Sequence, residues 1–264
     1  MIYLQALRMK QKEAQSDAYP FNLPFVQHFD MLAFRAPVTF FVGENGSGKS
    51  TMLDAIAAGI DAITVGGADV SKDPTLAPLR KLARRLTFVW AKRTHRGFFL
   101  RAQDFFNFGA RTTQLIQELD EAATGFEQTL TGYGLQLAQG SVRGQRAALI
   151  ARYGEDPTAR SHGESFLQLF QARFVPGGLY LLDEPDTALS PQRQLALLAM
   201  LKDMVAQEAQ FIIATHSPIV LAYPDAAILT FDGRSITETP YDAVENVTLT
   251  RQFLANPTAY LRRL

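Results

Sequence analysis

The chain of 264 residues contains no cysteine. Disulfides and thiolate metal sites are thereby excluded, and a reducing cytoplasm is the simplest home. A net charge is missing too, since Lys and Arg together number 26 and so do Asp and Glu. No overall field draws in nucleic acid or an anionic membrane, so any such attraction must be local. Long apolar runs are also lacking. The best of them, AIAAGIDAITVGGA, is interrupted by Asp61 and by glycines, and falls short of the ~18 residues of a membrane span. The opening MIYLQALRMKQ alternates like a strand and has neither the apolar stretch nor the cleavage site of a signal peptide. A soluble, unexported, cytoplasmic protein with no membrane insertion is the expectation. What is present is ordinary for a globular chain, 47% apolar and 20% charged residues, without internal repeats or low-complexity tracts. One domain over residues 1–264 is the starting assumption.

The outer parts of the chain read as strand-rich and the middle as helical. Residues 2–9 and 37–42 have strand patterns, separated by SDAYPFNLP, whose prolines and Asn22 forbid a continuous element. A helix is expected over 49–60 with Met52, Leu53, Ile56 and Ala57 on one face, then a short basic helix in LAPLRKLARRL. LTFVWAKRTHRGFFLR reads as two strands around a polar turn. From Asp104 to about Arg152 the pattern is mostly helical. Beyond it GLYLLDEP, QFIIATHS and AAILTFDG are short β-rich runs separated by helical segments, and the sequence ends in two short helical patterns. Near-continuous apolar strands alternating with helices imply a mainly parallel sheet buried on both faces. The expected fold class is α/β, a mainly parallel sheet with an antiparallel β portion and a helical insert at about 104–163, the remaining lobe comprising about 1–103 and 164–264.

Residues 38–58 set an apolar run, a glycine-rich turn and a helical pattern side by side, and GENGSGKS within them matches GxxxxGK[ST]. The spacing identifies a phosphate-binding loop of a P-loop NTPase. Gly43, Gly46 and Gly48 let the backbone wrap a polyphosphate at the positive end of the following helix, with Glu44, Asn45, Ser47 and Thr51 completing the wall. Lys49 neutralises the β and γ phosphates, and the Ser50 hydroxyl can ligate Mg²⁺. ATP and Mg²⁺ are the expected ligands. A second element, GLYLLDEPDTALSP, ends an apolar strand in two acids. At the carboxyl edge of a parallel sheet, Asp183 falls where the metal sits and Glu184 near the γ phosphate, where it can orient and deprotonate water.

GENGSGKS, LLDEP and ATHSP together resemble the ABC-type ATPases. The resemblance implies that His216, at the end of the strand after the acidic pair, contacts the γ phosphate. It implies a signature segment at RSHGESF, with Ser161 and Gly163 aligned to its serine and second glycine and His162 departing from the first glycine. Ser161 and Glu164 also form a capping box at a helix start, which suits either role. In such enzymes the signature touches nucleotide on the opposite subunit, so a head-to-tail homodimer around two ATP molecules is implied, with Asp186–Ser190 as the loop at its seam. Gln103 is the candidate for the glutamine that joins Mg²⁺ to the insert. Tyr19 or Phe21 could stand for the aromatic that stacks on adenine, or pack the core. HGESF, RAQDFFNF, LLDEPDTALSPQRQLALL and IIATHSPIVLAYP resemble a group of small bacterial ATPases of the AAA, ABC-like kind, related to the heads of the SMC, RecF and OLD proteins.

Between Arg80 and Arg101 lie Lys81, Arg84, Arg85, Lys92, Arg93 and Arg96 with no acid, and Trp90, Phe98 and Phe99 fall among them. A basic stripe beside aromatics suits DNA, although charge runs are usually solvated faces and alternate strand aromatics usually core. The reading is an ABC-type ATPase that hydrolyses ATP and acts on DNA or a protein partner. The alternatives are the ATP-binding subunit of a transporter and an ATP-gated switch that recruits a separate effector.

Overall fold

The structure is a computed structural model that describes residues 1–10, 17–65, 70, 73–153 and 162–262. Its centre is a six-stranded sheet of order β5-β6-β7-β3-β8-β9, built from Phe99–Arg101 (β5), Leu179–Asp183 (β6), Gln210–Ala214 (β7), Val38–Val42 (β3), Ala227–Phe231 (β8) and Ile236–Glu238 (β9). Every pairing is parallel except the last, β8 with β9. A smaller antiparallel sheet sets Leu4–Met9 (β1) between Met31–Ala33 (β2) and Leu86–Trp90 (β4). The two strands expected around the polar turn both exist but do not pair with each other. β4 joins the small sheet and β5 the large one. The sequence pattern fixed their strand character; the partners depend on contacts distant in the chain.

Pleating assigns alternate residues of the large sheet to opposite faces. Phe41, Leu181, Ile212 and Leu229 belong to the core shared with β1 and with Lys49–Gly59 (α2), whose Met52, Leu53, Ile56 and Ala57 are all buried there. Phe40, Tyr180, Leu182, Phe211 and Ile213 face the other way, onto His162–Arg173 (α6) and Pro191–Ala206 (α7). Both faces being covered explains why β3 and β7 are buried at every position. Pro24–His28 (α1) and the short β2 follow the segment in which prolines ruled out a single long element, and Ala77–Arg85 (α3) is the short basic helix. Between β5 and β6 run two long helices that pack along each other, Ala102–Thr129 (α4) and Gly132–Tyr153 (α5), followed by α6. After β7 come Pro218–Leu221 (α8) and, at the end of the chain, Glu245–Ala255 (α9) and Pro257–Leu261 (α10).

One buried side chain stitches the two sheets. Gln210, at the first position of β7, accepts hydrogen bonds at Oε1 from the backbone N–H groups of Tyr3 and Leu4 (2.8 and 2.9 Å) and donates from Nε2 to the Leu4 carbonyl (2.9 Å). An amide carries both a donor and an acceptor, so one residue satisfies three main-chain groups that would otherwise be buried without partners. Gln210→Leu keeps the volume and removes all three bonds. An orphaned buried polar group costs about 1–3 kcal/mol, so the variant should unfold at markedly lower urea concentration, by ~3 kcal/mol or more in extrapolated stability. An unchanged midpoint would show that the stitch contributes nothing.

Candidate active site

Three adjacent strands end together. Ala214 on β7 is the register partner of Asp183 on β6 and of Phe41 on β3. The line is tied off by two further main-chain bonds, Glu184 N–H to the Ala214 carbonyl (2.9 Å) and Thr215 N–H to the Phe41 carbonyl (3.2 Å). The glycine-rich loop, the acidic pair and the histidine loop therefore leave the sheet at one edge, the carboxyl edge where ligands bind in open α/β sheets.

The loop after β3 turns back on itself. Gly43 has φ 140° and Gly48 φ 109°, conformations that side-chain-bearing residues rarely adopt. A Cβ at Gly43 would lie 2.2 Å from the Phe231 carbonyl oxygen, and one at Gly48 2.1 Å from the Phe25 ring. Strand β8 and helix α1 thus hold the loop by close contact on both sides. Lys49 is buried, and its ammonium donates to the carbonyls of Gly43 and Glu44 (2.8 and 2.9 Å). Burial pulls its pKa down, while Glu184 and Asp183 push it up. The Ser47 hydroxyl is buried and has no hydrogen-bond partner among the described residues.

The parity of β6 puts Asp183 on the same face as Leu181, towards α2. There it accepts a hydrogen bond from the Ser50 hydroxyl (3.1 Å). Burial pushes the Asp183 pKa up to about 6, against the opposing effect of the Ser50 bond, and Asp54 and Glu184 add to the rise while Lys49 counters it. Glu184 breaks the strand pattern with φ 50°, a left-handed conformation that costs a non-glycine residue energy. Its carboxylate is thereby turned towards His216, whose Nε2 lies 3.9 Å from Glu184 Oε1. Thr187 donates to the other carboxylate oxygen (3.3 Å). Asp186 accepts from the Thr215 hydroxyl (2.5 Å), and burial raises its pKa. In His216, burial and the Lys49 charge lower the pKa, with Glu184 and Asp186 acting against them. Its Nδ1 faces the side-chain amide nitrogen of Asn246 at 3.2 Å. The sequence reading did not pick out Asn246, because nothing in NVTLTRQ marks a residue that meets the site only through the tertiary fold.

A second charged cluster abuts the first. Arg101 is the register partner of Asp183 and is buried. Its guanidinium donates to Asp54 (2.8 Å), one helical turn beyond Ser50, and to Asp73 (3.2 Å). Burial raises the Asp54 pKa to about 6 although Arg101 opposes it, and Asp104, also buried, is shifted the same way.

The structure brings Lys49, Ser50, Asp183, Glu184 and His216 to one place. Tyr19 is exposed, with its hydroxyl 3.2 Å from that of Thr51, whereas Phe21 packs against the core. Gln103 falls in the first turn of α4, its side chain outside the described residues, as is Ser161 altogether; Gly163 falls in the first turn of α6. The basic stripe divides. Arg101 is tied to acids, and Arg80 and Arg96 donate to the carbonyls of Val70, Asp73 and Pro176. Lys81, Arg84, Lys92 and Arg93 are exposed. Phe98 and Phe99 are core residues and Trp90 packs partly buried against the core, so none of the three stands free for base stacking.

A hydroxyl and a carboxylate held 3.1 Å apart beside a buried cation offer the hard oxygen donors that Mg²⁺ prefers. Among the described residues no three or more His, Cys, Asp or Glu converge as an all-protein cage would require. The pair fits an ion that keeps most of its ligands as water and phosphate oxygens, the usual habit of Mg²⁺.

Two family models match the chain. One, described as "AAA domain", covers residues 22–77, which contain the glycine loop and α2. The other, "AAA domain, putative AbiEii toxin, Type IV TA system", covers 145–222, which contain the acidic pair and His216. The macrolide export ATP-binding/permease protein MacB 1 of Yersinia pestis is 28% identical over 208 residues, which is 75% of this chain and 28% of that protein. The energy-coupling factor transporter ATP-binding protein EcfA2 of Methanospirillum hungatei is 26% identical over 245 residues, 89% of this chain and 56% of that one. The chain thus spans well under two thirds of either relative. A solved structure, the Smc head domain of Pyrococcus furiosus bound to the C-terminal domain of ScpA, aligns over 96% of this chain and 100% of that one, with 14% identity and a TM-score of 0.48.

The raised pKa of Asp183 has a consequence for stability. A carboxyl whose folded pKa lies above its unfolded value holds its proton more tightly when folded, so its contribution to stability falls as pH rises from about 4 to about 6. Asp183→Asn should therefore raise the thermal midpoint of the nucleotide-free protein at pH 7.5 by a few degrees, with a smaller gain at pH 4.5 where the acid is already neutral. Calorimetry at the two pH values checks this, and a lowered midpoint at pH 7.5 would contradict it. The chain thus combines a mixed, mainly parallel sheet and a glycine loop with two partial matches to AAA-domain models.

Proposed function

We propose that the chain binds ATP with Mg²⁺ at the carboxyl edge of β3, β6 and β7 and hydrolyses it. The observation that carries the reading is the buried Lys49 ammonium held at the mouth of the glycine loop, beside the Ser50–Asp183 hydrogen bond. Residues 43–51 cradle the polyphosphate, whose charge meets the Lys49 ammonium and the backbone N–H groups at the start of α2. Ser50 and Asp183 would hold the metal, with Gln103 as a further ligand, and the ion when bound supplies charge neutralisation along the phosphates. Glu184, aimed by its left-handed backbone, orients water and takes its proton. His216 contributes a neutral imidazole beside it. Phosphoryl transfer asks mainly for positioning and charge stabilisation, and Lys49, Ser50, Asp183, Glu184 and His216 lie in β6 or in the segments that follow β3, β6 and β7.

In this reading Ser161 and Gly163 act on nucleotide held by a second copy, so the working unit is a head-to-tail homodimer with Asp186–Ser190 at the seam. The sequence 1–264 then forms one ATPase domain with α4 and α5 as its helical insert. A cytoplasmic setting is part of this reading, and the lack of cysteine is compatible with it. Its output acts on DNA or on a protein partner, DNA meeting Lys81, Arg84, Lys92 and Arg93. A second reading, an ATP-binding subunit that drives a membrane permease, is favoured by the likeness to MacB 1 and EcfA2. No helix among the described residues is long and apolar enough to cross a membrane, so in that reading the permease would have to be supplied by another polypeptide segment.

Lys49→Ala should abolish binding of a fluorescent ATP analogue. Glu184→Gln should still bind ATP, lose about 100-fold or more in kcat, and accumulate as a dimer by light scattering. Parental hydrolysis by Glu184→Gln would remove the assigned base, and nucleotide binding by Lys49→Ala at parental affinity would remove the site.

A further inference from the structure

We propose that Asn246 is a positioning residue that fixes the neutral imidazole of His216 as the Nε2–H tautomer, so that His216 serves the site as a donor and not as a base. The inference rests on the reading of His216 as part of the hydrolytic site and adds a residue and a protonation state to it.

A side-chain amide nitrogen can only donate, and that of Asn246 stands 3.2 Å from His216 Nδ1. A donor at that distance requires a lone pair on Nδ1. A neutral imidazole has one ring proton, which must then sit on Nε2. That nitrogen is buried, has no hydrogen-bond partner among the described residues, and lies 3.9 Å from Glu184 Oε1. A proton there points a positive edge at the carboxylate. With the amide rotated so that its oxygen met Nδ1, the proton would move to Nδ1 and the Nε2 lone pair would face the carboxylate, an unfavourable juxtaposition. The observed placement is the electrostatically consistent one.

The surroundings hold both partners. Asn246 is the second residue of α9, and Val244 and Val247 on either side of it are buried in the core beneath α7 and α8. Tyr241 donates to the Pro218 carbonyl (3.0 Å), which ties the segment before α9 to the loop that carries His216. Ser217 caps α8 through the N–H groups of Ile219 and Val220 and bonds Gln194 (2.6 Å), so the backbone after His216 is fixed independently. The charged groups facing the imidazole are Lys49 from α2 and Glu184 and Asp186 from the loop after β6. Burial and Lys49 favour the neutral ring against Glu184 and Asp186, and in that neutral ring the tautomer is left to the neighbour at Nδ1. A fixed Nε2–H can donate to a carboxylate or phosphate oxygen but cannot accept a proton from water. Glu184 therefore remains the sole base.

The test is the side-chain nitrogen spectrum of nucleotide-free, ¹⁵N-labelled protein, with the His216 signals assigned by their loss in His216→Gln. The parent should show protonated Nε2 and bare Nδ1. Asn246→Asp, nearly identical in size, replaces the donor by an acceptor and should move the proton to Nδ1 or charge the ring, with kcat falling about 10-fold and KM for ATP little changed. Asn246→Ala should give a mixture of tautomers. A parent with protonated Nδ1, or an unchanged pattern in Asn246→Asp, would overturn the inference. The spectrum reads the tautomer whether or not ATP is hydrolysed, so an inactive parent with bare Nδ1 would refute the hydrolytic reading while leaving the Asn246 assignment standing.

Discussion

The site exists because Ala214 is paired on both sides. As the register partner of Asp183 in β6 and of Phe41 in β3, it brings three chain segments out of the sheet on one line. A slip of one residue in either pairing would turn Asp183 away from α2 and onto the face occupied by Leu182. The fully apolar strands guard against that slip, because both of their faces are buried against specific partners.

Around this line the sheet edge gathers charge in a place that disfavours it. Lys49, Asp183 and Asp54 are all shifted towards their neutral forms by burial. Stability alone would replace such a group with apolar residues. Retaining it, together with a left-handed Glu184, is the pattern of a site organised around a charged ligand, where perturbed carboxyls and ammonium groups cluster. The Arg101 pairs with Asp54 and Asp73 extend the same electrostatic field to the start of α4.

Much of this was legible in the order of residues. The glycine loop declares itself because its motif is local and its chemistry dictates its spacing, Asp183 and Glu184 gain meaning only beside that loop, and the strand and helix over 38–59 follow from period and punctuation. His216 needed a family resemblance, since a lone histidine at a strand end carries no signal. What stayed hidden depends on contacts remote in the chain. β4 and β5 look like one hairpin until their partners β1 and β6 are known. Gln210 reads as a polar residue opening a strand, and its three bonds to Tyr3 and Leu4 appear only when residues more than two hundred apart meet. The basic run from Arg80 to Arg101 reads as one stripe, yet ion pairs and main-chain carbonyls claim three of its arginines.

The bridge made by Gln210 binds the fates of the two sheets. The amides of Tyr3 and Leu4 are shielded by a side chain rooted in the central strand, so the leading end of the small sheet is coupled to β7. Deuterium reaches those two protons when the Gln210 side chain or the start of β7 lets go, and the opposite end of that strand is the one that carries the chain on to His216.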